Sequence, residues 1–480
     1  MKILYYNWIQ FDKKNNNGGG VNVYQKNLID YLVNHEEYEI YFLSSGTNYS
    51  LFKKKPFYKK STNVYGNKCK TFKIWNSVCT APAASQHIMD NYLNDEETYN
   101  VFKRFIEEQG PFDVIHFNNI EGLTLKCLQV KKDFPNIKVI YSLHNYNLFC
   151  PYVSLFYNNE KNCIDYKDGK NCVDCMFRSP STKSFILLYK LENLCSKFGL
   201  DNLPSRLKKI RKKILTKMKK KAVNEIHEER KIDYSMYKKF RLENVKSLNK
   251  YVDVILAVSN RVKDIAINMG VNEKKVYTNY IGTAYAKNSI DKPNMPNTNE
   301  FTIAFLGYLD PYKGFPFMVS ALEKIDKKHA NHLNVLCYAR NNGTKEEMDL
   351  IERFNKLNNK FNLVEYHNGY THDEFKNIMS RINLGIVPVI WEDNLPQVAI
   401  EYASHGVAVL SSDLGGANEL SKSKKFIYDH SSYRDFINKL TYIMDNPEVL
   451  NEYFKNKMKL ITMDEHIKQL LIYYGDKYEK

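Results

Sequence analysis

Two acids eight positions apart, Asp393 and Glu401, carry the clearest chemistry in this sequence. They lie in WEDNLPQVAIEYASHGVAVLSSDLGG, which follows the apolar run LGIVPVI. A continuously apolar run of that length reads as a strand covered on both faces. Asn394-Leu395-Pro396 reads as a helix start, with Asn as the cap and Pro in the first turn. Asp393 is then placed just outside a helix N-terminus and Glu401 about a turn and a half inside it. Carboxylates accept from hydroxyl groups, and the free backbone N–H groups of a helix start, here Asn394 and Leu395, favour an anion. In open α/β sheets such a strand end is where ligands bind.

Other groups suit the same ligand. Asn17-Gly18-Gly19-Gly20 lies between a first apolar run and a helical pattern, so the backbone there can approach a phosphate closely. It is not GxGxxG, and the dinucleotide fingerprint is absent. Lys313 in GYLDPYKGF offers an ammonium for a diphosphate, and Arg340 at the end of NVLCYAR is a second candidate cation. Tyr370, closing NLVEYHNGY, is a candidate on the nucleotide side. His116 in DVIHFNN and His144 in YSLHNYN fall at two predicted strand ends on one sheet edge, a placement better explained by a site than by two separate structural roles. Cys150, Cys163, Cys172 and Cys175 fall within 26 residues and end in Cys-x2-Cys. Four thiolates on a loop suit a structural zinc ion; scattered free thiols are the alternative.

The elements that must position these residues follow from length and pattern. A chain of 480 residues, 43% hydrophobic and 14% aromatic, is expected to fold as two domains. No apolar run is long enough to span a membrane, and MKILYYNW lacks a signal-peptide core, so the expectation is a cytoplasmic protein with reduced cysteines. The net charge of +16 is concentrated in Arg206–Lys221, RLKKIRKKILTKMKKK. Leu207, Ile210, Ile214 and Met218 form an apolar stripe on that cationic segment, which suits either an anionic membrane surface or packing on the domain. No recognition motif for nucleic acid accompanies the charge.

Strand and helix patterns alternate from MKILYYNW onward, with helices over Val21–His35, near Leu123–Asp133 and over Asn260–Met269. They alternate again from FTIAFLGYL, after a break at Asn279–Asn299. The pattern predicts two doubly wound parallel sheets facing a cleft. The expected division is an N-terminal domain over 1–275, a C-terminal domain over 276–456, and a closing helical segment over 457–480 that packs back on the N-terminal domain. The first domain includes the Cys-rich loop 150–175 and a basic helical insertion over 178–248.

Taken in order, GGGVNVY, DVIHFNN, YSLHNYNLFCP, ILAVS, FLGYLDPYKGF and WEDNLPQVAIEYASHGVAVLSSDLGG resemble the motifs of the family 4 glycosyltransferases. The resemblance spans nearly the whole chain except about 178 to 248. It implies the GT-B fold, two Rossmann-like domains around a central cleft. It also implies a retaining transfer from a UDP- or GDP-sugar, with no metal required for catalysis. By the same resemblance Asp393 holds donor-sugar hydroxyls, Glu401 the ribose, Gly19 and Gly20 the distal phosphate, Lys313 the diphosphate, and His144 the sugar from the opposite domain. The acceptor expected is a surface glycan or lipid-linked precursor at the inner face of the cytoplasmic membrane. A phosphorylase, a disaccharide synthase and an inactive scaffold are the alternatives. Two positions depart from the family pattern. The first acid is Asp, with Glu392 beside it as a competitor, and Tyr308 stands where Arg is usual.

Overall fold

The apolar runs of the N-terminal half become strands of one sheet. They are β1 (Lys2–Tyr6), β2 (Glu39–Ser44), β3 (Phe57–Ser61), β4 (Cys69–Trp75), β5 (Val114–Phe117) and β6 (Lys138–Leu143). After a separate hairpin of β7 (Phe156–Tyr157) and β8 (Lys161–Asn162), β9 (Val254–Ala257) and β10 (Val276–Thr278) complete it. The eight strands lie in the order β10-β9-β6-β5-β1-β2-β4-β3, parallel except for β3. The C-terminal half forms β11 (Phe301–Tyr308), β12 (Leu333–Arg340), β13 (Leu363–His367), β14 (Leu384–Val387), β15 (Ala408–Ser412) and β16 (Ile427–Tyr428). Their order is β13-β12-β11-β14-β15-β16, all parallel. The computed structural model describes residues 1–10, 19–163, 165–177, 181–197, 234–283, 285–286, 289–297 and 300–475; Gly18 and the basic run Arg206–Lys221 lie outside them. No helix among the described residues is long and apolar enough to cross a membrane.

Each sheet has one point where the winding reverses, between β1 and β5 in the first and between β11 and β14 in the second. Ligands of open α/β sheets bind beyond the strand ends at such points. The segment after β1 leads to the Gly19–Leu32 helix, that after β11 carries Lys313, and that after β14 carries Asp393.

The central strands are buried along their length, as their unbroken apolar sequences require. β3 lacks that signal because it is the edge strand: its Lys59 and Lys60 are exposed, which keeps the edge from pairing with another chain, and its neighbour β4 is only partly buried. The segment expected as an α-helix near Leu123–Asp133 is a 3₁₀ stretch, Leu125–Lys132, interrupted at Gln129.

The last helix, Met463–Tyr474, returns from the second sheet to the first. The Tyr474 hydroxyl lies 3.0 Å from that of Tyr5 and 2.6 Å from His116 Nδ1, while His116 Nε2 is 2.7 Å from Ser142 Oγ. His116 is therefore a fully buried structural residue, and the expectation that it shares a site with His144 is corrected. Both of its ring nitrogens are engaged beneath the C-terminal helix. His466 on the same helix donates from Nδ1 to the Tyr280 carbonyl (2.9 Å), leaving Nε2 to accept from Tyr24 (2.7 Å).

Burial holds the His466 pKa down to about 4. Its depressed folded-state value means that its contribution is intact above about 6.5, its unfolded value, and is lost as pH falls towards 4. Going from about pH 7 to about pH 5 should cost about 2 kcal/mol through this residue alone. Melting temperatures measured across that window should fall in the wild type and fall less steeply in His466→Gln.

Candidate active site

Three glycines hold the loops that bear the acids and the lysine. Gly314 has φ +79°, and a Cβ there would stand 1.5 Å from the Pro388 carbonyl oxygen. Only glycine lets the Pro311–Lys313 turn close onto the end of β14. That approach places Lys313 Nζ 2.6 Å from Asp393 Oδ2 and 5.4 Å from the centre of the Trp391 ring. On the other side Gly415 has φ +70°, and a Cβ would meet the Asp393 carbonyl oxygen at 2.3 Å. Gly415 N–H donates to Glu392 Oε2 (3.1 Å) and Gly416 N–H to the Asp393 carbonyl (2.9 Å). The Gly-Gly turn thus clasps the acidic loop from behind.

The helix following this loop is Gln397–Ser404, with Pro396 extended (ψ 122°) at the cap position. The expected Asn394 cap is corrected. A residue before proline is pushed out of the α region, so Leu395 cannot begin a helix. Asn394 is instead buried, its carbonyl accepting from Ser259 Oγ at 2.7 Å.

Glu401 lies one turn inside that helix, and among the described residues no cation or hydrogen-bond donor reaches its carboxylate. The residue is half-buried, with the carboxylate enclosed enough that desolvation pushes its pKa up to about 7. Tyr285 and Tyr370 are its phenolic neighbours, and both pack on Phe375. At the helix start, Gln397 Nε2 donates to the Gly20 carbonyl (2.9 Å), so the first turn of the Gly19–Leu32 helix meets the first turn of the Gln397–Ser404 helix across the cleft. His144 is held by Nε2 donating to Asn118 Oδ1 (3.0 Å), with its ring 4.8 Å from that of Tyr24. Burial first, and then His466, hold its pKa down to about 3, so it acts as a neutral imidazole. No hydrogen bond among the described residues joins His144 to the Asp393–Glu401 segment. Arg340 is exposed at the end of β12, in register with Tyr308.

The sequence reading missed the group that binds the two domains. Arg261, at the start of the Asn260–Asn268 helix of the first domain, forms a two-pronged ion pair with Glu392, with Nε 2.8 Å from Oε2 and Nη2 on Oε1. Glu392 is thereby committed and does not compete with Asp393. Glu419 accepts from the N–H groups of Asn260 (3.0 Å) and Arg261 (2.7 Å) and from the Tyr280 hydroxyl (2.6 Å), placing a carboxylate on that helix start. The Ser259 cap was recognisable from its type, but its partners across the cleft have no signature in local spacing.

The four cysteines surround the β7–β8 hairpin and the Lys170–Phe177 helix. No three of their sulfurs lie within 4.8 Å of one another.

Two experiments test this construction. Gly314→Ala should destabilise the chain by about 3 kcal/mol or more through the clash with Pro388. Gly343→Ala, also at positive φ but facing open space, should cost only about 1–2 kcal/mol of backbone strain. Urea denaturation of both variants gives the comparison, and equal losses would contradict the role given to the clash. For Arg261 and Glu392, a double-mutant cycle of Arg261→Ala with Glu392→Gln should show a coupling of about 1–2 kcal/mol, reduced from the buried-pair value because Arg261 is partly solvated.

Residues 286–460 match the family model described as glycosyl transferases group 1. No curated protein matches the chain by sequence. Among solved structures it is similar to the sucrose-phosphate synthase of Thermosynechococcus elongatus, with 13% identity, a TM-score of 0.60, and 99% of this chain and 98% of that one covered. The HepE protein of Anabaena in complex with UDP gives 11% identity and a TM-score of 0.56 over 99% and 100% of the chains. A glycosyltransferase of Rickettsia africae gives 13% and 0.58 over 100% and 99%. At these identities the likeness is one of fold, and the fold of this chain is that of the GT-B glycosyltransferases, with a group 1 match over residues 286–460.

Proposed function

We propose that the chain transfers a glycosyl unit from a nucleoside diphosphate sugar to an acceptor hydroxyl with retention of anomeric configuration. The observation that carries this reading is Glu401, an enclosed carboxylate that no cation or hydrogen-bond donor reaches among the described residues, on the helix whose first turn meets the Gly19–Leu32 helix. A pair of ribose hydroxyls satisfies such a carboxylate. The diphosphate then lies towards two helix starts and Lys313, which stabilise the charge of the departing group. Lys313 is paired with Asp393 before the donor arrives. On donor binding it moves to the diphosphate, and the freed Asp393 takes sugar hydroxyls. His144, kept neutral and oriented by Asn118, offers its other ring nitrogen to the sugar. Arg340, beside Tyr308, supplies the second cation that position 308 lacks. Structures of the Anabaena protein hold UDP and UDP-glucose, which makes UDP-glucose the first donor to test. A surface glycan or lipid-linked sugar is the acceptor class we assign.

Glu401 makes the proposal measurable. Its carboxyl must lose a proton to accept from both ribose hydroxyls, and UDP-glucose itself has no titrating group near neutrality. Affinity measured by calorimetry should rise about tenfold from about pH 6 to about pH 8 in the wild type and stay flat in Glu401→Gln. Lack of binding by both UDP-glucose and GDP-sugars at millimolar concentration would overturn the donor assignment.

A further inference from the structure

His144 keeps some exposed surface, whereas Asn118, Tyr24 and His466, which stand in line with it, are all buried. The His144 ring packs on Tyr24 with centroids 4.8 Å apart and planes tilted by 46°. The Tyr24 hydroxyl lies 2.7 Å from His466 Nε2, and the two rings meet edge to face at 5.3 Å. His466 Nδ1 lies 2.9 Å from the Tyr280 carbonyl oxygen. A carbonyl only accepts, so Nδ1 carries the proton of the neutral imidazole. Nε2 must then accept from the Tyr24 hydroxyl, and each bond in the line has one direction.

We propose that Tyr24 and His466 are positioning residues for His144: the C-terminal helix, through His466, holds the Tyr24 ring against the imidazole so that His144 meets the donor sugar in one orientation. The inference rests on the role given to His144 in the proposed glycosyl transfer. Buried as they are, Tyr24 and His466 act through His144 and not on the sugar. The single bond from Nε2 to Asn118 fixes one atom of the imidazole but not its plane. A ring packed on it removes the remaining freedom, provided that ring is itself held. Burying a hydroxyl and an imidazole between two packed helices carries a desolvation cost that two apolar side chains would avoid. What the pair adds is direction, because a hydrogen bond orients a ring that apolar packing alone would let slide.

His466 is in turn fixed along its helix. Thr462 caps the helix by accepting from the Glu465 N–H (3.1 Å), and the Glu465 carboxylate accepts from the Thr462 N–H (3.0 Å). The Thr283 N–H donates to the Ile461 carbonyl (3.0 Å), just before that cap. A Cβ on Gly282 would stand 2.7 Å from His466 Cβ and 2.9 Å from Met463 Cα, so the chain beyond Tyr280 lies flush on the first turn. Tyr24 also belongs to the Gly19–Leu32 helix, whose first turn meets Gln397. Loss of the anchor could therefore act on the sugar through His144 or on the phosphates through that helix start, and the two are separable.

The test pairs UDP with UDP-glucose, since only the second carries the sugar. Tyr24→Phe should lower kcat for UDP-glucose hydrolysis about tenfold and weaken UDP-glucose binding, while affinity for UDP stays at the wild-type value. His466→Leu should do the same. His466→Gln, which keeps one donor and one acceptor, should recover most of the loss. Equal losses for UDP and UDP-glucose would overturn the proposal, because they would place the fault in the helix start. Nitrogen-15 NMR of labelled histidine gives a readout that needs no donor, with His144→Gln identifying the His144 signals. The wild type should show His144 in one form protonated on Nε2, and Tyr24→Phe should shift or broaden its ring signals. If the wild type neither binds nor turns over UDP-glucose, the donor assignment fails and these signals alone decide. His144 signals at their wild-type positions in Tyr24→Phe and His466→Leu would overturn the positioning role. Should His466→Leu fail to fold, Tyr24→Phe carries both arms.

Discussion

Two adjacent carboxylates, Glu392 and Asp393, are both nearly buried at the end of β14, and the site depends on how that is sustained. Neighbouring like charges in a poorly solvated place need separate cations or one must take up a proton. Here each has its own. Lys313 comes from the turn after β11 in the same domain, and Arg261 comes from a helix of the other domain. The acidic loop is therefore a joint between domains as well as a wall of the cleft. Its backbone is set by close approaches that exclude a side chain, Gly314 against Pro388 and Gly415 against Asp393.

The same arrangement shapes the charge of the cleft. Asp393 is neutralised by Lys313, Glu392 by Arg261, and Glu419 by the helix start it caps. Among the described residues no cation or donor reaches Glu401, and burial raises its pKa so that near neutrality it is only partly ionised. The cleft thus carries little uncompensated negative charge, while two helix starts present N–H groups to it. Such a surface receives an anion better than the number of acids in it suggests.

What was legible in the sequence was what local pattern determines. The LGIVPVI strand end and the Lys-Gly turn of GYLDPYKGF stand where their spacing placed them, because strand burial and turn chemistry are decided within a few residues; the first helix begins at Gly19, two residues earlier than Val21, so Gly19 and Gly20 form its first turn and not a loop before it. Arg261 and Glu392 are 131 positions apart, and Tyr474 and His116 are 358 apart. Neither pairing leaves a period or a spacing to read. β3 and β4 went unread because lysines interrupt their apolar residues, in FYKKS and CKTFKIW, and leave no continuous apolar run. Asn394 was misread for another reason: a favourable cap type was weighed above the restriction that Pro396 places on Leu395.

The two cations differ in what they allow. Lys313 is on a flexible stem and pairs with Asp393 through a single contact, so a diphosphate can draw it away and leave Asp393 free for hydroxyls. Arg261 grips Glu392 through two nitrogens while Gly415 holds the same carboxylate oxygen, so this pair resists exchange. Opening the cleft separates Arg261 from Glu392 and leaves a poorly solvated carboxylate next to Asp393. That charge would compete with Asp393 for Lys313, the cation our proposal assigns to the diphosphate. In the proposed transfer, donor capture and the Arg261–Glu392 contact are thus linked through one lysine: with Arg261 in place, Glu392 leaves Lys313 available to the diphosphate.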